Sequence, residues 1–374
     1  MEIIFSGFLI IYLLMLYQVT RIWQMIPEND RQLDDERLPG VSIIIAARNE
    51  ESNILPLIRS LTRVQYPDDK LEVIVIDDAS EDRTPQYLQD HMASRELFQW
   101  LTLENLPEFR GSYKKRALTC GINRARFPVI ITTDADCEFN AGWVRAMVET
   151  LVAKDLVMAC GPVNYTASNW LSPVLNTELA CLMAIGAVSI YSGNSTMCNG
   201  ANLCFYKKAF NTVNGYKGFE HIASGDDEFL LYKLNQQYPG KIGFVKQRQA
   251  IVNTNPPSSL TDFFNQRKRW SGKWKEHRSV APRVLALFIF GFHLMFITVI
   301  LITLFGVYSW KVMAVQLLTK LLMEFFLVSS VFGFLGKRPA LKWILLMQLL
   351  YSLYVVIVGV AVQFFGFSWK NRQY

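Results

Sequence analysis

VSIIIAARNE, residues 41–50, is a short and almost wholly apolar run closed by an arginine, an asparagine and a glutamate. A run this short and rich in β-branched residues, with no polar alternation, marks a strand buried on both faces. LEVIVID at 71–77, WLTL at 100–103 and VIITT at 129–133 repeat the pattern, and residues 51–64, 85–97 and 113–124 between them carry helical spacing. That alternation predicts βαβ units and a mostly parallel sheet. Ligands of open α/β sheets lie beyond the carboxyl ends of the strands. Here those ends are Ala47-Arg48-Asn49-Glu50, Asp77-Asp78-Ala79-Ser80 and Asp134-Ala135-Asp136. Three polar, mainly acidic clusters at one edge predict a site.

Outward from this core the chain turns apolar. Of 374 residues, 51% are hydrophobic and 19% charged, which excludes disorder, collagen and coiled coil. The net charge of +6 suggests a nucleic-acid partner until it is located: residues 1–283 carry 31 basic and 31 acidic residues, and the whole excess lies in 284–374. Runs at 284–306 and 341–363 are long enough to cross a bilayer, as is 312–335 despite Lys320 and Glu324, which are spaced to pair in a helix. Residues 3–23 read as an uncleaved anchor, since Glu2 stands where a signal peptide has basic residues. The division predicted is an anchor at 1–23, a cytoplasmic domain at 24–265, a juxtamembrane segment at 266–283 and a membrane region at 284–374. Arg267, Lys268, Arg269, Lys273, Lys275, Arg278 and Arg283, then Lys337, Arg338 and Lys342, put residues 24–283 inside by the positive-inside rule; Lys370 and Arg372 fit the resulting outside C-terminus poorly. Residues 171–191, apolar but broken by Asn176, Thr177 and Glu178, read as a helix packed on the domain or lying at the membrane surface. The six cysteines form no CxxC pair and read as reduced thiols; the four histidines show no ligand spacing.

Each candidate group admits a plain structural role beside a chemical one. Asp134 and Asp136 can present oxygens to one Mg²⁺ or Mn²⁺, or be solvated loop acids. Crowding of Asp77 and Asp78 calls for a cation or hydrogen-bond donors, although Asp77 can equally serve as a cap around Ser80. Lys114-Lys115-Arg116, opening a helix, suits a diphosphate or a solvated face. In Gly225-Asp226-Asp227-Glu228 one carboxylate can act as a general base on a hydroxyl, while a helix N-terminus favours acids in any case. Gln266-Arg267-Lys268-Arg269-Trp270 is either a juxtamembrane basic patch or a wall that holds a pyrophosphate and an acceptor.

Taken in order, VSIIIAARNE (41–50), DDAS (77–80), KKRAL (114–118), DADC (134–137), GDDEF (225–229) and QRKRW (266–270) resemble the motifs of membrane-bound family 2 glycosyltransferases, the group of cellulose and hyaluronan synthases and ceramide glucosyltransferases. The resemblance spans about residues 41–270. It implies a GT-A fold, Rossmann-like with a mostly parallel sheet, plus transmembrane helices. It assigns the nucleotide sugar to Glu50, Asp78, Lys115 and Asp134, and an Mg²⁺ or Mn²⁺ cofactor to Asp134 and Asp136. Asp227 matches the general base; Asp226, Gln266, Arg269 and Trp270 match the acceptor and pyrophosphate positions. Asp226 departs from the Glu common in polymerising synthases, which weakens assignment to a subgroup.

The expected activity is inverting transfer from a nucleotide sugar, a UDP-sugar first, to a hydroxyl of a membrane-associated lipid; a processive polysaccharide synthase is the alternative. The lipid is preferred because 374 residues and a three-span tail leave little for a translocation tunnel. An inactive scaffold or transporter is disfavoured by the intact acids at 78, 134, 136 and 227. The expected location is a bacterial inner membrane, multi-pass, with the catalytic domain cytoplasmic and no nucleic-acid partner.

Overall fold

The computed structural model describes residues 1–28, 32–92, 96–103, 111–166, 172–222, 224–271, 280–338, 341–364, 368–369 and 372–373. Its contacts separate into an α/β unit (Ile26–Thr166 and Ile185–Asn255) and a helical unit (Met1–Met25, Ala167–Ala184 and Pro256–Tyr374). The chain opens with α1 (Glu2–Met25), followed by β1 (Val41–Ala47), α2 (Ile54–Leu61), β2 (Leu71–Asp77), α3 (Thr84–Met92) and β3 (Phe98–Thr102). Then come α4 (Tyr113–Arg124), β4 (Val129–Asp134), β5 (Cys137–Phe139), α5 (Trp143–Ala153), β6 (Met158–Cys160), β7 (Val163–Tyr165) and α6 (Ser172–Tyr191). After α6 follow β8 (Leu203–Tyr206), α7 (Lys207–Thr212), α8 (Asp226–Gln237), β9 (Ile242–Phe244) and β10 (Val252–Thr254). Four long helices follow, α9 (Leu260–Ser271), α10 (Val280–Leu304), α11 (Trp310–Phe334) and α12 (Leu341–Phe364), and then a short antiparallel strand pair, Ser368–Trp369 with Arg372–Gln373.

In the α/β unit seven strands form one sheet in the order β3-β2-β1-β4-β8-β6-β9. Strands β3, β2, β1 and β4 run parallel, as the alternating pattern predicts, while β8 runs antiparallel to both β4 and β6. Ile43, Ile44, Ile45, Val73, Ile74, Val75 and Ile76 are fully buried, which is why these strands read as continuous apolar runs. Helix α4 lies so close to this sheet that a Cβ on Gly121 would come within 2.5 Å of the Ile44 side chain. The order reverses at β1, which has β2 on one side and β4 on the other. Ala47 pairs in register with Asp77, and Ala46 with Asp134. The three polar clusters are thereby brought to one edge at a topological switch point, where α/β sheets bind ligands. A second sheet, β5-β10-β7, holds the segment that follows Asp136.

In the helical unit α1, α11 and residues 283–304 of α10 are long and apolar enough to cross a membrane; α12 carries a 44° bend between Gln348 and Leu350. Helix α6 passes the same test, but 61% of its apolar window is buried against 17–28% in the other three, as its Asn176-Thr177-Glu178 interruption suggests. Of the basic flank, Lys273, Lys275 and Arg278 lie outside the described residues, as does Lys370.

Phe5 and Tyr12 of α1 pack on Phe292 and Phe296 of α10, with the Tyr12 and Phe292 rings stacked at 4.1 Å. Beside this seam lies a buried polar quartet. Lys320 meets Glu324 at 2.7 Å one helical turn away and donates to Gln348 Oε1 at 2.6 Å; Gln348 Nε2 and the Tyr12 hydroxyl donate to Glu324 at 2.6 and 2.7 Å. Three helices thus supply four side chains that satisfy one another where water is scarce. Lys320→Met alone leaves Glu324 charged and buried, a loss of about 3–5 kcal/mol. Thermal unfolding in detergent should show a large fall in Tm for that variant. Lys320→Met combined with Glu324→Met should recover most of it.

Candidate active site

The loops after β1 and β2 are fastened to each other. Arg48 folds back so that its Nη1 donates to the carbonyls of Asp78 and Ala79, both at 2.7 Å, while Nη2 pairs with Glu81 at 2.9 Å. Asn49 N–H donates to Ser80 Oγ, and Glu81 N–H returns to Asn49 Oδ1, each at 2.9 Å. Asn49 and Ala79 sit at φ 50° and 52°, in the left-handed region. Asparagine tolerates that region, whereas for alanine it costs about 1–2 kcal/mol, a strain that concentrates at functional sites.

Asp77 and Asp78 divide the two roles open to them. The buried Asp77 carboxylate accepts from the Ser80 N–H at 3.3 Å and from the Ser80 hydroxyl, so it shapes the turn; burial raises its pKa. Asp78, 5% exposed at its side chain, pairs with Arg116 at 3.2 Å.

The three cations of α4 also diverge, because each helical residue turns its side chain about 100° from the last. Lys114 lies 2.7 Å from Asp134 and 3.3 Å from Asp226, bridging the β4 acid to the first acid of α8. Burial alone would lower its pKa, but Asp134 and then Asp226 hold the ammonium above its ordinary value. Lys115, assigned to the nucleotide by the family motif, donates to the carbonyls of Phe219, Ile222 and Ser224 at 2.7, 2.8 and 3.0 Å. Its ammonium fastens the loop that leads into α8, and Lys114 and Arg116 are the cations that meet the acids.

Gly225, at φ 77°, turns the chain into α8. Asp227 then accepts from Gly200 N–H at 3.0 Å and from Glu228 N–H at 2.8 Å. A Cβ on Gly200 would stand 3.2 Å from Asp226 Oδ2, so only a glycine lets the backbone donor come this close without displacement. Gly200 and Thr254, whose hydroxyl donates to Asp136 at 3.1 Å, are missed by sequence reasoning. The one available signal is the Asn199-Gly200 dipeptide, which reads as an ordinary turn.

Asp136 is pushed up to about 6, first by burial, then by Asp134 and by Glu50. The structure therefore brings together Glu50, Asp134, Asp136, Asp226 and Lys114, with Asp78 held by Arg116. Among the described residues no three His, Cys, Asp or Glu side chains form a closed metal cage. Mg²⁺ and Mn²⁺ take one or two carboxylates and complete their shells with water and phosphate oxygens. The hard carboxylate oxygens of Asp134 and Asp136, the second raised in pKa first by burial and then by its acidic neighbours, fit such an ion. Gln266, Arg269 and Trp270 share one face of α9, in the helical unit.

A model of glycosyl transferase family 2 matches residues 42–212, and one of glycosyl transferase family group 2 matches residues 129–365. The chain belongs to glycosyl transferase family 2. It is 44% identical over 241 residues to a beta-monoglucosyldiacylglycerol synthase of a Synechocystis species, covering 62% of the chain and 47% of that protein. It is 26% identical over 241 residues to the probable glycosyltransferase YdaM of Bacillus subtilis, covering 63% and 55%. A poly-beta-1,6-N-acetyl-D-glucosamine synthase of Staphylococcus epidermidis is 24% identical over 241 residues, covering 64% and 55%. The chain spans about half the length of these relatives. In fold it is similar to a mannosyltransferase of Pyrobaculum calidifontis solved with GDP-Man and Mn²⁺, at a TM-score of 0.59 and 15% identity over 97% of this chain and 98% of that one. The α/β unit is thus of the GT-A type.

The Asp136 shift has a sign that can be checked. Its folded pKa lies above the 3.8 of a free carboxyl, so the protonated form is favoured by the fold. This group's stabilisation is full below pH 4 and is lost as pH rises through 6. A cation that binds there must displace that proton in acid. Mn²⁺ affinity, measured by titration calorimetry, should fall about tenfold per unit below pH 6 and level off above it. Asp136→Asn should remove the pH dependence together with most of the affinity.

Proposed function

We propose that this enzyme transfers a sugar from a nucleoside-diphosphate donor, a UDP-sugar first, to the hydroxyl of a membrane lipid, with inversion at the anomeric carbon. The observation that carries this reading is the joining of opposite charges at the sheet's switch point. The Glu50, Asp134 and Asp136 acids face a cation site, while Lys114 and Arg116 at the start of α4 stand ready for a diphosphate. A bound Mg²⁺ or Mn²⁺ would neutralise charge on the donor phosphates. Asp227 is the base: two backbone N–H groups fix both of its oxygens, and it accepts the proton of the acceptor hydroxyl as that oxygen attacks opposite the leaving diphosphate. Gln266, Arg269 and Trp270 receive their acceptor and pyrophosphate roles from the motif alone.

A lipid acceptor is supported by the apolar helices carried on the same chain and by the 44% identity to a synthase named for a glucosylated diacylglycerol. The relative named as a poly-N-acetylglucosamine synthase supports the second reading, a processive polymerase. The basic residues flanking α10 and α12 favour a multi-pass protein of a bacterial inner membrane with the α/β unit in the cytoplasm.

Asp227→Asn should lower turnover by about a hundredfold or more while donor affinity is largely kept. Near-normal turnover would remove Asp227 from the base role. The acceptor class is decided by mass spectrometry of products formed from a nucleotide-sugar panel and native membrane lipids. One sugar increment per lipid is expected; a ladder of increments would establish the polymerase instead.

A further inference from the structure

Helix α9 carries Gln266, Arg269 and Trp270, yet its most buried side chain is Arg267, 2% exposed. Arginine is almost never buried to this degree without a dedicated partner. The guanidinium uses its whole fork. Nε and Nη2 donate to the two oxygens of Glu178 at 3.2 and 2.5 Å, and Nη1 donates to Gln266 Oε1 at 2.7 Å. Its plane lies over the Trp270 ring at 4.3 Å and over the Phe263 ring at 4.8 Å. Glu178, itself 6% exposed, belongs to the part of α6 inside the helical unit, and Phe263 contacts Tyr354 of α12 at 5.3 Å.

One residue therefore touches two of the three motif side chains and ties their helix to another. We infer that Arg267 is a positioning residue for glycosyl transfer, holding Gln266 and Trp270 in place against the Glu178 anchor. This rests on the acceptor and pyrophosphate roles proposed for Gln266, Arg269 and Trp270. The chemistry favours arginine specifically. The Arg267 Nη1 donor, by engaging Gln266 Oε1, fixes which end of that amide is the acceptor. The flat guanidinium packs the Trp270 indole while binding the carboxylate by two parallel bonds, a combination that the compact ammonium of lysine does not reproduce. In the sequence Arg267 is one of five consecutive polar or basic residues, 265–269, and reads as part of a basic patch; its burial gives it this role.

The test uses the full chain in vesicles of native membrane lipids, with release of nucleoside diphosphate from a panel of UDP- and GDP-sugars as the assay. Arg267→Lys keeps the charge opposite Glu178 and should keep Tm near the wild-type value, while kcat falls at least about tenfold and donor KM changes little. Arg267→Met paired with Glu178→Met removes both buried charges. It should melt near the wild-type temperature and show the same kcat loss, and adding Gln266→Ala to it should lower kcat no further. Wild-type kcat in Arg267→Lys or in the folded pair, with Gln266→Ala impaired, would overturn the positioning role and leave the motif assignment standing. Wild-type kcat in both Gln266→Ala and Trp270→Ala, or a wild-type chain that releases no diphosphate, would overturn the motif assignment and the positioning role with it.

Discussion

Negative charge crowded at one edge of a buried sheet is the constraint on which the rest of this structure depends. Parallel strands with a reversal at β1 deliver Glu50, Asp78, Asp134 and Asp136 to the same edge, and α8 adds Asp226 and Asp227. Such a cluster persists only if each carboxylate is answered. Lys114 answers Asp134 and Asp226, Arg116 answers Asp78, and Gly200 and Glu228 N–H groups answer Asp227. Asp136 is answered least, by one hydroxyl and a thiol, and it is the acid whose ionisation is held back. A site short of positive charge by this margin is suited to a divalent ion arriving with a diphosphate.

The helical unit meets the same constraint in an apolar setting. Lys320 and Glu324 are tolerable there because Tyr12 and Gln348 complete their hydrogen bonds, and Arg267 because Glu178 and two aromatic rings enclose it. Replacing such groups with apolar ones often leaves stability unchanged, so their value lies in fixing which helix faces which. In one case that value is the order of α1, α11 and α12; in the other it is the setting of the α9 motif. Charge that looks like a liability in composition acts here as a set of pins.

Much of this was legible in the residues. Strands β1, β2 and β4 announce themselves because burial on both faces leaves no polar alternation, and Asp134 and Asp136 are visible because they end such a strand. The short strands β5, β6, β7, β9 and β10 are not visible, since three residues are too few to show a period. Gly200 and Thr254 escaped because their importance comes from a partner 27 and 118 residues away. The run at 114–116 shows the limit most clearly: three consecutive cations specify charge, while helix rotation decides which of them meet the acids.

Local pattern alone determined the α/β class, the edge of the sheet that bears the chemistry, the apolar membrane-type helices and the family, because each depends on periodicity or on a contiguous motif. Tertiary structure alone decided which of two adjacent residues does the work: Asp78 rather than Asp77 on Arg116, Lys114 rather than Lys115 on the acids, Arg267 inward among its neighbours. Neighbours in sequence have nearly the same propensity and charge. They differ only in direction, and direction acquires energetic meaning when a distant element packs against one side chain and excludes water from it.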